Sequence, residues 1–167
     1  MKALGLAFVF AIAAPAGAEA QSSFAGPYVG GYVGASPTGN DGAYQGGALA
    51  GYRLSIGEVF LLGLETQGGV GRYSGVQFLE GHVFGHAGLE IGGNTELFTA
   101  LGAGLRDHND DFGRATDRLW SFGGGAEIAV NDIIHVRGEV HSLFVYDGYS
   151  ANSWATRANL SLIGQFK

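Results

Sequence analysis

The stretch Ile134-His135-Val136-Arg137-Gly138-Glu139-Val140-His141-Ser142-Leu143 decides the fold. Successive side chains of an extended strand point to opposite sides, so Ile134, Val136, Gly138 and Val140 share one face and His135, Arg137, Glu139 and His141 the other. The same period of two returns from Ala48 onward, in segments of about ten residues separated by polar turns. One face carries Ala48, Ala50, Tyr52, Leu54, then Phe60, Leu62, Leu64, then Leu79, Val83, Leu89, Ile91, then Leu97, Leu101, Leu105. It continues through Trp120, Phe122, Ile128 and ends on Trp154, Leu160, Leu162 and Phe166, without a charge. The opposite faces hold Arg53, Glu65, Glu80, Glu90, Glu96, Arg106, Glu127, Arg137, Glu139 and Arg157, together with His82, His86, His135 and His141. With the aromatic, Gly-rich segment Tyr28 to Ala35 the count reaches eight strands.

Composition narrows the class. Of 167 residues, 31 are Gly and none is Cys. The Gly content lacks the third-residue repeat of collagen, and the missing Cys excludes disulfide frameworks, thiolate zinc sites and Cys nucleophiles. A net charge of −6 speaks against nucleic acid as a partner. Met1 and Lys2 form a short positive region, Ala3 to Ala14 an apolar one, and Ala18-Glu19-Ala20 a small-residue cleavage site. Residues 1–20 therefore read as an export signal and 21–167 as the mature barrel domain. Within that domain the longest apolar run is about Val59 to Leu64, far short of a membrane-spanning helix.

Alternation alone does not choose between a soluble barrel, apolar inside, and an outer-membrane barrel, apolar outside. Three features favour the membrane. The export signal takes the chain out of the cytoplasm; small residues crowd both faces; and the polar set mixes six Glu with four Arg and no Lys, as internally paired charges do. The links Ser55–Glu58, Gly92–Thr95 and Asn131–Ile133 are tight, whereas Ser36–Gly42, Gly69–Gly75, Asp107–Asp117 and Val145–Ser153 read as longer polar loops. Strict alternation of short and long links predicts an up-and-down barrel with short periplasmic turns, external loops and both termini in the periplasm. Trp120, Trp154, Tyr52 and Phe166 fall where aromatic girdles belong. The expected fold is all-β: an eight-stranded antiparallel up-and-down transmembrane β-barrel, closed because an open edge in lipid leaves peptide groups unsatisfied.

The runs Gly46-Gly47-Ala48-Leu49-Ala50-Gly51-Tyr52, Leu62-Gly63-Leu64-Glu65, Gly123-Gly124-Gly125-Ala126-Glu127 and Val136-Arg137-Gly138-Glu139-Val140 resemble the small porin-like outer-membrane β-barrel family of proteobacteria, the OmpA/OmpX type. The ending Leu160-Ser161-Leu162-Ile163-Gly164-Gln165-Phe166 is similar to that family's carboxyl-terminal assembly signal, with Lys167 as a departure. The resemblance implies residence in the cell outer membrane among lipid and lipopolysaccharide and insertion by the barrel-assembly machinery. It implies a structural or weakly pore-forming role in envelope integrity, an unknown surface partner, and no catalytic residues.

Eight strands enclose an interior just wide enough for side chains, so a broad channel is not expected. The ten lumen charges should form a paired network. A three-residue turn at Asn131–Ile133 sets Glu127 opposite Arg137. No cofactor or metal is expected. His82 and His86 are about 13 Å apart on a strand, too far to share an ion. Asp107-His108-Asn109-Asp110-Asp111 departs from a calcium loop, with Gly113 at the seventh place and Arg118 at that of the bidentate Glu, and reads as an acidic loop. Two other function classes stay open. Some eight-stranded outer-membrane barrels are lipid A-modifying enzymes, and His141-Ser142 with Asp147, Ser150 and Ser153 offers the residue types. Alternation, however, puts His141 in the lumen and Ser142 toward lipid, so the expectation is no enzyme. The third class, a soluble periplasmic lipocalin-like binder, requires an apolar interior.

Overall fold

A computed structural model describes residues 22–37, 42–73, 75–110, 113–146 and 153–166. The export-signal reading of residues 1–20, Lys167, and Asp147 and Ser150 lie outside the described residues. Eight antiparallel strands form one closed barrel in chain order: β1 (Gly26–Ser36), β2 (Ala43–Ile56), β3 (Phe60–Tyr73), β4 (Val76–Ile91), β5 (Thr95–Asp110), β6 (Gly113–Ala129), β7 (Ile134–Tyr146) and β8 (Ser153–Gln165), with β8 paired back to β1.

The register fixes the barrel's dimensions. Gly26 pairs with Arg53, Arg53 with Gly63, Gly63 with His86, His86 with Ala100, Ala100 with Gly123, Gly123 with His141 and His141 with Arg157. Arg157 precedes Ala158, the partner of Ala35, so the walk returns at the level of Ser36, ten residues above its start at Gly26. For eight strands that stagger requires a tilt of about 40° and a backbone radius of about 8 Å. Side chains alone fill such an interior.

The two faces separate as the period of two requires. Val33, Leu62, Leu79, Leu101, Phe122, Val140, Trp154 and Leu160 are exposed on the outer surface, while Arg53, Glu65, Glu127, Arg137, Glu139 and Arg157 are buried within. An exterior apolar on every strand suits hydrocarbon and not water. Trp120 opposes Phe144, and Phe144 packs on Trp154 with ring centroids 5.1 Å apart, giving an aromatic band across β6, β7 and β8. Phe60 and Phe166 are exposed at the other end, and Tyr52 is half-buried on the outer face.

The proximal end carries the described ends of the chain and three tight turns. Gly92 and Gly93 turn β4 into β5 with φ of 64° and 76°, values that glycine adopts freely. Asn131 caps the β6–β7 turn, its Oδ1 accepting from Ile133 N at 2.9 Å and Ile134 N at 2.8 Å. At the distal end the structure corrects two expected loops. Gly69–Tyr73 belongs to β3, and Asp107–Asp110 and Gly113–Asp117 continue β5 and β6, so each of these links shrinks to two residues. The acidic segment at Asp107 is therefore strand over residues 107–110. Beyond the apolar band both faces meet water, so hydropathic alternation ends while backbone pairing goes on.

Candidate functional site

Glu127 on β6 is the proximal hub of the lumen. Its carboxylate accepts from Arg53 Nη2, Arg137 Nε and His135 Nδ1, each at 2.8 Å. Arg53 Nη1 pairs with Glu96, and Arg137 Nη1 reaches Glu65 at 2.6 Å. The expected cross-strand partnership of Glu127 with Arg137 is present in the register and in the contact. Arg53 reaches Glu127 across the lumen instead of along the sheet. Aromatic rings support the guanidinium planes: Arg53 lies 4.4 Å from the Tyr28 ring centroid and Arg137 5.2 Å from that of Phe98. The Tyr28 hydroxyl donates to Glu65 at 2.7 Å.

Above this hub, Glu139 accepts from Asn159 Nδ2 at 2.9 Å and Gln67 Nε2 at 3.3 Å, with Arg137 Nη1 at 3.9 Å. His141 Nε2 stands 3.5 Å from Glu139, and His141 Nδ1 shares a hydrogen bond of 3.2 Å with Ser121 Oγ. Higher still, Glu80 binds Arg106 Nη2 at 2.9 Å and also pairs with Arg157, while His82 Nδ1 lies at 3.5 Å. Nine of the ten charges read from the sequence thus join lumen ion pairs. Glu90 stands apart: at the proximal rim it accepts from Ser22 and, at 3.4 Å, from Ser23. Phe84 stacks on His82 (5.4 Å) and meets His86 edge-on (6.1 Å), and among the described residues no cluster of ligating side chains could hold a metal ion.

Three features were missed in the sequence. Tyr28 and Tyr32 point inward, as β1's pairing with β8 requires, and Gln67 and Asn159 extend the network. Ser121 joins His141 from the neighbouring strand, a contact visible only once the β6–β7 register is extended to position 121. The segment Ser22–Ala25 folds under the barrel: Phe24 is fully buried against His135 (5.1 Å, edge-on) and Leu61, and Gln165 Nε2 donates to Ala25 O at 3.0 Å. Phe24 thereby narrows the proximal mouth. The distal mouth opens into a cup of about 970 Å³ walled by Tyr73, Phe78, Val145 and Trp154, with Arg106 and Asp117 among its polar groups.

No protein-family model and no curated protein matches the chain. Solved structures match in shape. Ail, the attachment invasion locus protein of Yersinia pestis, superposes with a TM-score of 0.56 at 11% identity, covering 83% of this chain and 95% of its own. The N-terminal β-barrel domain of Pseudomonas aeruginosa OprF gives 0.54 at 13% identity, covering 81% and 96%. The chain is similar in fold to these eight-stranded outer-membrane β-barrels.

Proposed function

We propose that the protein is a non-enzymatic barrel of the cell outer membrane that contributes to envelope integrity and is not a general diffusion pore. The observation that carries this reading is the pairing of an apolar exterior on all eight strands with a lumen packed by ion pairs. Lipid is the solvent in which that exterior is stable, and the charged interior speaks against a lipocalin-like binder, whose calyx is apolar. Phe24 and the Glu127 hub narrow the proximal side, which supports a closed lumen or at most a minor pore. The export signal, insertion by the barrel-assembly machinery through the β8 ending, lipopolysaccharide as the surrounding lipid and a surface partner at the distal loops belong to this proposal.

Ser121, His141 and Glu139 supply the residue types of a hydrolytic triad. Their setting favours a packing role. Ser121 is 1% exposed, and Leu119 and Leu143, each 1% exposed, lie between it and the distal cup, so no carbonyl can approach its oxygen. Heat modifiability tests the proposal. The outer-membrane fraction should give a band whose gel mobility changes on boiling, and the purified barrel should leave planar bilayers silent or nearly so. An unshifted band in the soluble periplasmic fraction would overturn the membrane reading; large steady conductance would overturn the closed lumen.

A further inference from the structure

The outward-facing charges are distributed unequally. Among the described residues, those on the outer faces of strands are Arg72, Asp107, Arg114 and Arg118, all at the distal end, whereas the proximal turns bear Glu58 and Asp132. Arg72 on β3 opposes Gln77 on β4, and Asn109 on β5 opposes Arg114 on β6, so the two arginines stand on strands about 14 Å apart, with Arg114 the more distal of the two because of the strand tilt. Together they flank one external groove of about 770 Å³. Its upper part is polar, with Arg72, Gln77, Asn109 and Arg114; its lower part is apolar, with Val70 and Leu79. Arg72 is oriented by donation from Nε to Gly75 O at 3.1 Å, which leaves both Nη groups directed elsewhere. Arg114 pairs with Asp107, and that carboxylate is the one acid lining a groove that holds two arginines.

We propose that this groove docks a phosphorylated lipid of the outer leaflet, its phosphate between Arg72 and Arg114 and an acyl chain along Val70 and Leu79. The inference rests on the proposed membrane placement. Three observations carry it: a net positive charge, guanidinium donors in the fork geometry that suits phosphate oxygens, and an apolar strip immediately below. A protein partner would need no such vertical ordering of charge over hydrocarbon.

The test is native mass spectrometry of the detergent-extracted full chain with phosphorylated lipid A, and with the same lipid stripped of its phosphates. The wild type should retain the phosphorylated form preferentially. Arg72→Gln with Arg114→Gln should weaken that binding by about twenty-five-fold, at roughly fivefold per arginine near a charged lipid surface. Both proteins should keep their boiling-dependent mobility shift, so loss of binding is separable from loss of the barrel. Equal retention of both lipids, insensitivity to the double substitution, or full displacement by millimolar inorganic phosphate would overturn the docking site and leave the barrel proposal standing. Absence of the mobility shift in the wild type would overturn the barrel proposal and the docking site with it.

Discussion

Replacing Glu127 by Ala removes a fully buried carboxylate that accepts three hydrogen bonds of 2.8 Å, two from arginines and one from His135. Breaking a buried ion pair by deleting one partner costs about 3–5 kcal/mol, since the remaining charge stays desolvated. Here Arg53 keeps Glu96 and Arg137 keeps Glu65, so neither guanidinium is orphaned and the expected loss lies near about 3 kcal/mol. The assay is urea unfolding of the barrel in detergent, followed by the fluorescence of Trp120 and Trp154. Arg114→Ala is the control: its side chain is 74% exposed, and breaking its solvent-screened pair with Asp107 should leave the urea midpoint nearly unchanged. Combining Glu127→Ala with Arg137→Ala should show a coupling energy above about 1 kcal/mol. A loss for Glu127→Ala no greater than for Arg114→Ala would refute the claim that this hub organises the lumen.

Phe24→Ala should cost about 3–5 kcal/mol by leaving a cavity beneath Arg53 and His135, and should raise single-channel events in planar bilayers; unchanged stability and silence would remove the plug role. Gly102→Val should abolish the heat-modifiable band, because a Cβ there runs into the Phe84 ring and comes within 2.7 Å of Val83 O. Asp107 stands on the distal extension, outside the apolar band, where donation from Thr116 at 2.6 Å and from Arg114 holds its carboxyl below the usual aspartate value. A depressed folded-state value means that its contribution is present near neutral pH and is lost as pH falls through that value. A carboxyl NMR titration should find the low midpoint and see it rise in Thr116→Val; no rise would refute the hydrogen bond as its cause.

The strands were legible because each separates an apolar outer face from a polar lumen, and that separation imposes the period of two on Ile134–Leu143 and its neighbours. The β6–β7 register was legible because Asn131 makes a local turn whose geometry counts residues. The distal links were not. Polar residues such as Asp107 and Asn109 signal loops in a soluble protein, but here they mark only where the strand leaves the apolar band. Nor was the pairing of Arg53 with Glu127 legible, because it spans the lumen and depends on the stagger accumulated around eight strands. The plug at Phe24 carries no periodic signal at all.

The glycines and the charges belong to one packing solution. A barrel of about 8 Å backbone radius cannot accept a full side chain at every inward position. Tyr28 lies over Gly51, Phe78 over Gly71 and Phe84 over Gly102, each ring on the adjacent strand's bare backbone, where an added Cβ would collide with it. Lying flat, those rings offer their faces to guanidinium groups, as Tyr28 does to Arg53 and Phe78 to Arg106. The arginines so oriented reach the carboxylates of Glu127 and Glu80. Inward glycine therefore makes room for the ring, the ring orients the cation, and the cation neutralises an acid that would otherwise be buried alone. This is why a chain so rich in Gly still packs its interior, and why each of the four lumen arginines sits against an acid while the outward-facing arginines gather at one end.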